Sequence, residues 1–125
     1  MDWVRARIVE TDMYSRNSRL PGLHESFEWC EEFDLEPVYA IWSGYYLDFE
    51  IMPQDQLQPY IDEALNSIEY ITGYTSTYYG AMRAANGRKE PWKLNYVEFG
   101  NEDTVWYTWS VSQLAIWVDR ARERT

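Results

Sequence analysis

The chain has 125 residues, 46% of them hydrophobic and 26% charged, and 21 acidic against 11 basic side chains leave a net charge of −10. That length holds one domain and that apolar content suffices for a core, which excludes a multidomain or wholly disordered chain. A surface this acidic repels nucleic-acid phosphates and anionic lipid, so neither is an expected partner, whereas a neutral ligand such as a carbohydrate meets no such penalty.

The first residues, Met1 to Arg7, lack the apolar core of a signal peptide, so the expectation is an intracellular protein or a chain without its natural N-terminus. Val4 to Val9 forms a weak strand candidate in which Arg5 and Arg7 alternate with apolar residues. Pro21-Gly22 marks a break, and residues 23–33 read as a helix with Leu23, Phe27 and Cys30 on its inner face and Trp29 and Phe33 broadening it. Pro37 then opens a continuous apolar run, Val38 to Trp42, closed by Ser43-Gly44. So short a run, buried on both faces, suits a parallel strand.

Residues 56–72 carry the strongest helical pattern, with Leu57, Ile61, Ala64, Leu65, Ile68 and Ile71 on one side. Asp55 is the expected cap with Gln58 three residues on, Pro59 fits the first turn, and Gly73 ends the helix. A shorter helix over 77–86 stops at Asn86-Gly87. Leu94 to Phe99 is a second strand running into Gly100-Asn101-Glu102-Asp103, and Ser110 with Gln113 offers a capping box for a helix over 111–123. Val111, Leu114, Ala115, Val118 and Ala121 form its apolar side. Helix, strand, helix, strand, helix is the rhythm of an α/β fold around a parallel sheet, whose strand-end loops carry the chemistry. No apolar run is long enough to span a membrane.

With Cys30 the only cysteine and His24 the only histidine, a disulfide framework, a zinc site and a serine-histidine triad lack material, and no metal or cofactor is expected. His24, at a helix start, reads as solvent-facing or capping, and Cys30 as a small core hydrophobe. The acids Glu31-Glu32 and Asp62-Glu63 fall on solvated helix faces. Glu102 is the residue of chemical interest: it follows a strand, beside Gly100 and the amide of Asn101, which both donates to and accepts from a sugar hydroxyl. Glycoside hydrolysis needs two carboxyl groups, one to protonate the leaving oxygen and one to attack or activate water. The same four residues also read as a polar turn. Glu98, on the face shared by Gly100 and Glu102, lines the site or is a paired structural carboxylate. Trp42, Tyr45 and Tyr46 flank the other strand end, as sugar-stacking rings or as core filler.

Four blocks occur in order: 36–44 (EPVYAIWSG), 55–65 (DQLQPYIDEAL), 80–87 (GAMRAANG) and 96–103 (YVEFGNED). Together, over about residues 20–103, they resemble the α-L-arabinofuranosidases of glycoside hydrolase family 51, especially the fungal type. The resemblance implies a retaining hydrolase that releases terminal arabinofuranosyl units, built on a (β/α)8 TIM barrel with a β-sandwich. It implies that Glu102 is the general acid/base, that Asn101 binds a sugar hydroxyl, and that residues 38–42 and 95–99 are the third and fourth barrel strands. Trp42 joins Asn101 as a substrate-binding candidate. The implied partner is an arabinose-containing polysaccharide or oligosaccharide, homo-oligomerisation of the full-length protein stays open, and the substrate class points to an extracellular location.

Residues 1–18 and 104–125 match the family poorly, Trp106-Tyr107-Thr108-Trp109 most visibly. The family's nucleophile, a second glutamate on a later strand, has no counterpart here, and a TIM barrel takes about 250 residues to close. The expectation is a partial catalytic barrel over 1–125 that is inactive alone. Two other readings stand beside it: a non-catalytic carbohydrate-binding or remnant protein, and a subunit that completes its barrel with another chain.

Overall fold

The computed structural model describes the backbone of residues 5–9, residues 22–45 and 51–100, and Ala115, Val118 and Asp119. Three strands, β1 (Arg5–Val9), β2 (Glu36–Ile41) and β3 (Tyr96–Phe99), form one parallel sheet in the order β1-β2-β3. Arg5 pairs with Glu36 through to Val9 with Ala40, and Val38 with Tyr96 through to Ile41 with Phe99. Helix α1 (Leu23–Glu32) connects the first pair, and α2 (Gln58–Thr72) and α3 (Tyr78–Ala85) the second, giving two consecutive β-to-β crossovers.

Central strand β2 has neighbours on both sides, and Tyr39, Ala40 and Ile41 are all buried, as the uninterrupted apolar run requires. Phe27 and Cys30 of α1, Leu57 just before α2, Ile61, Ala64 and Ile71 of α2, and Trp92 complete the core, with Leu65 and Ile68 packed at its margin. The sheet strand near 4–9, weak in the sequence, forms. The helical cores at 23–32, 58–72 and 78–85 follow the periodicity.

Several details differ from expectation. Asp55 does not cap α2: it sits in a 3₁₀ turn, Gln54–Gln56, and the N-cap is Leu57, with no side-chain hydrogen bond. Leu57 is fully buried, and that burial, about 2 kcal/mol, outweighs the roughly 1 kcal/mol of a cap. Trp29 and Phe33 do not extend the inner face of α1 but stand 50% and 63% exposed, because only the 23-27-30 stripe faces the sheet. Ala115 and Val118 are helical, yet exposed rather than buried; the remainder of the helix expected over 111–123, with Ser110 and Gln113, lies outside the described residues.

Helix ends show two distinct devices. After α1 and after α3 the chain makes the same double turn: Leu35 N–H to Cys30 O (2.7 Å) with Asp34 to Glu31, and Arg88 N–H to Arg83 O (3.2 Å) with Gly87 to Ala84. Each needs a left-handed residue, supplied by Gly87 (φ 109°) in one and by Asp34 (φ 52°) in the other. Gly73 ends α2 as expected, but in an extended conformation (φ −72°). The carbonyls it leaves open are satisfied from elsewhere.

Candidate active site at the carboxyl edge of the sheet

At the C-terminal edge of the sheet the last rung joins Gly100 N–H to Ile41 O (2.9 Å), holding the ends of β2 and β3 level. Gly100 (φ 76°) turns the chain there in a conformation open to glycine and strained for other residues. Asn101, Glu102 and Asp103 follow in the sequence and lie outside the described residues, as does Tyr46. Glu98, level with Ala40 in the register, is half-buried and engaged by other groups.

The chain leaving β2 is pinned beside that edge. Trp42 donates its indole N–H to Tyr45 O (2.7 Å) and meets the ring of Tyr60 edge-on, centroids 4.9 Å apart. Gly44 (φ 96°) turns the segment back, Met52 N–H donates to Gly44 O (2.8 Å), and Tyr45 bridges Ile51. Ser43, Gly44 and Tyr45 are buried. Trp42 is therefore a half-buried wall with its polar handle committed, able to offer ring surface but not its N–H. Tyr45 is core rather than platform.

Away from the edge, sequence reasoning misplaced His24. Its Nδ1 lies 2.7 Å from the Tyr70 hydroxyl, which also accepts from Asn86 Nδ2 (2.9 Å), and its ring stands edge-on to Trp92 at 5.0 Å. His24 thus ties α1 to α2 and the loop after α3 instead of facing solvent. Nε2 lies 3.4 Å from Glu28. Glu31 is likewise more than a solvated acid: Arg88 grips it with both guanidinium nitrogens and lies over the Trp92 ring. That hydrogen-bonded guanidinium holds the Glu31 carboxyl below its ordinary range and raises Arg88. Cys30 is buried, and its thiol is pushed up by desolvation, so it has little thiolate for chemistry.

Arg83 was missed altogether. Fully buried on α3, it donates from Nη1 to Tyr70 O (2.6 Å) and Ile71 O (3.3 Å), from Nη2 to Gly73 O (2.7 Å) and Lys89 O (3.0 Å), and from Nε to Arg88 O (3.3 Å). Burial lowers its pKa, but a guanidinium stays charged at any relevant pH. A signal existed: Arg83 is the one charged residue between Glu69 and Arg88. Among the described residues no group of three His, Cys, Asp or Glu is placed to hold a metal, and no helix is long and apolar enough to cross a membrane.

Residues 4–116 match a family profile described as the alpha-L-arabinofuranosidase 1 domain, reaching further at both ends than the four sequence blocks. Alpha-L-arabinofuranosidase A of Aspergillus niger is 55% identical over 87 residues, which are 67% of this chain and 14% of that protein. The Aspergillus kawachii enzyme of the same name is similar to the same extent. Among solved structures, the arabinose-bound MgGH51 α-L-arabinofuranosidase superposes with a TM-score of 0.71 at 32% identity, covering 82% of this chain and 17% of that one. The chain spans about a seventh of the length of the curated relatives it matches.

Proposed function

The chain belongs to the alpha-L-arabinofuranosidase 1 domain family, and from that premise we propose that it supplies one sector of a (β/α)8 catalytic barrel that releases terminal arabinofuranosyl units. In this reading β2 and β3 are the third and fourth barrel strands, β1 takes the place before them, and residues 1–125 form a single partial catalytic domain. The observation that carries it is the level pair of parallel strand ends, Ile41 bonded to Gly100, directly before Asn101-Glu102. Active-site groups of such barrels stand at the C-terminal ends of strands.

Glu102 is the general acid/base. It protonates the glycosidic oxygen as the aglycone departs and the nucleophile bonds the arabinosyl carbon, then takes a proton from the water that releases the sugar from the nucleophile. Asn101 holds a hydroxyl beside the reacting carbon, and Trp42 walls the site with its ring. A second glutamate, from a later strand in the family, is the nucleophile; retention requires the two carboxyl groups about 5 Å apart. The 125 residues carry one member of that pair, so no turnover is expected of them alone. The substrate is an arabinan, an arabinoxylan or an oligosaccharide derived from them, a neutral ligand that the net charge of −10 does not repel.

Leaving-group dependence tests this reading. In the full-length protein, Glu102→Gln should slow hydrolysis of unactivated arabino-oligosaccharides by about 10²–10⁴-fold. Activated aryl arabinofuranosides, which depart with little protonation, should be much less affected. Equal, near-native turnover of both substrates removes Glu102 from the acid/base role. Sugar binding without turnover by unmodified full-length protein instead supports the competing reading, a non-catalytic carbohydrate-binding protein, which the clustering of Trp42 and Tyr60 beside the strand end also suits.

A further inference from the structure

A groove lies between α1 and the α2–α3 hairpin, on the helical layer, with no strand residue in its wall. Its volume is about 490 Å³, and His24, Asn66, Ser67, Tyr70, Tyr79 and Asn86 line it, with Glu25 and Glu63 completing the wall. Every polar group there is an amide, a hydroxyl, an imidazole or a carboxylate, and no lysine or arginine contributes. An anion therefore finds no counter-charge, while amides and carboxylates in a concave aromatic wall match the alternating donors and acceptors of a polyol. The wall is preorganised, because the Tyr70 hydroxyl is held between His24 Nδ1 and Asn86 Nδ2.

An open tyrosine surface continues that wall. The ring of Tyr78 meets that of Tyr79 edge-on at 4.9 Å, and Tyr78 is 72% exposed. A turn closed by Thr77 N–H to Tyr74 O (3.0 Å) brings Tyr74, 74% exposed, alongside the start of α3, and Met82 follows one turn on. The backbone beneath is rigid: Arg83 holds Gly73 O, Thr77 caps Gly80 N–H, and a Cβ on Gly80 would lie 2.1 Å from Tyr74 O. Residues 70–82 contain four tyrosines, three threonines and a serine without a single charge, in a chain that is 26% charged. Exposed aromatic rings among neutral hydroxyls suit the apolar C–H faces of sugar rings and offer an anionic partner no counter-charge.

We propose that this groove and its tyrosine surface form a second carbohydrate-binding site, separate from the strand edge, for a neutral polysaccharide chain. The ligand class follows from the groove itself; that the chain is the arabinose-bearing polymer rests on the reading above. The site would hold the polymer independently of the sheet edge, so polymer affinity and hydrolysis are separable.

Affinity electrophoresis of full-length protein tests it, with neutral arabinoxylan or anionic polygalacturonate cast in the gel. Arabinoxylan should retard the protein and polygalacturonate should not. The Tyr74→Ala/Tyr78→Ala double variant should bind arabinoxylan about tenfold more weakly, the loss of two stacking rings, with an unchanged melting temperature because both side chains are exposed. Asn66→Ala inside the groove should weaken binding as well. Equal retardation of wild type and the tyrosine variant, or no retardation of wild type, overturns the proposal. Retardation is read without turnover: tyrosine-dependent retardation of a protein that does not hydrolyse sinks the enzymatic reading and upholds the groove, and hydrolysis without retardation does the reverse.

Discussion

The guanidinium of Arg83 occupies a position where three carbonyls converge at the end of α2, one of them (Ile71 O) shared with Trp92 N–H, together with two more from the loop after α3. Helix C-terminal carbonyls carry partial negative charge, and a planar fork with five donors can meet several of them at once, which an ammonium cannot. This is how a charge survives complete burial without a carboxylate partner. Arg83→Leu should cost about 3 kcal/mol or more, since several buried carbonyls lose their donors together. Arg83→Lys should fall between wild type and Leu, keeping the charge while losing the fork. Urea denaturation of the full-length protein checks the order, and a Leu variant with an unshifted midpoint contradicts it.

At the level of elements, two glycines that look alike in sequence do different work. Gly87 adopts φ 109° with nothing within 4 Å of where a Cβ would go, so Gly87→Ala meets only backbone strain, about 1 kcal/mol. Gly80 is helical, but a Cβ there would meet Tyr74 O at 2.1 Å and Gly73 O at 2.8 Å. Gly80→Ala must therefore push α3 away from the turn that precedes it, and it should cost more than Gly87→Ala, about 2 kcal/mol or more. Asp34 offers the converse: it holds the left-handed position after α1 with a side chain, and Asp34→Gly should stabilise by about 0.5–1 kcal/mol. Thermal melts of the three variants give the ranking, and a Gly80→Ala milder than Gly87→Ala would refute the packing argument.

For the molecule as a whole, the three-stranded parallel sheet has β1 on one side and β3 on the other, each paired only with β2 among the described residues. Tyr96 and Val97, successive residues of β3 that point to opposite faces, are both exposed. Parallel sheets are stable when both faces are covered, so this strand is built to receive further layers. The 125-residue chain expressed alone should therefore associate, sedimenting above its 15.0 kDa monomer mass, and Tyr96→Lys/Val97→Lys should shift it toward monomer. A soluble wild-type monomer would show that these faces need no cover.

Periodicity made the core of α2 legible, because Leu57, Ile61, Ala64 and Ile71 recur where one helix face meets a sheet and nothing distant is needed to see it. The apolar run at Val38 to Ile41 likewise announced a strand covered on both faces, and the ordered blocks ending in Asn101-Glu102 carried the family and its candidate acid/base. Local pattern could not decide which long-range partner a polar side chain would find. His24 reads as a surface residue, yet its ring hydrogen-bonds the Tyr70 hydroxyl 46 positions away, and Glu31, exposed as expected, is paired there with Arg88, 57 positions away. Asp55 lost its capping role to the burial of Leu57, and Arg83 became a buried clamp because the α2–α3 hairpin brought five carbonyls together around it. The sequence by itself determined the strand at β2 and the apolar stripes of α1 and α2, since those follow from interactions within a turn or two. Only the tertiary structure decided where charges and hydroxyls are satisfied, because their partners are set by how elements pack and are not neighbours in the chain.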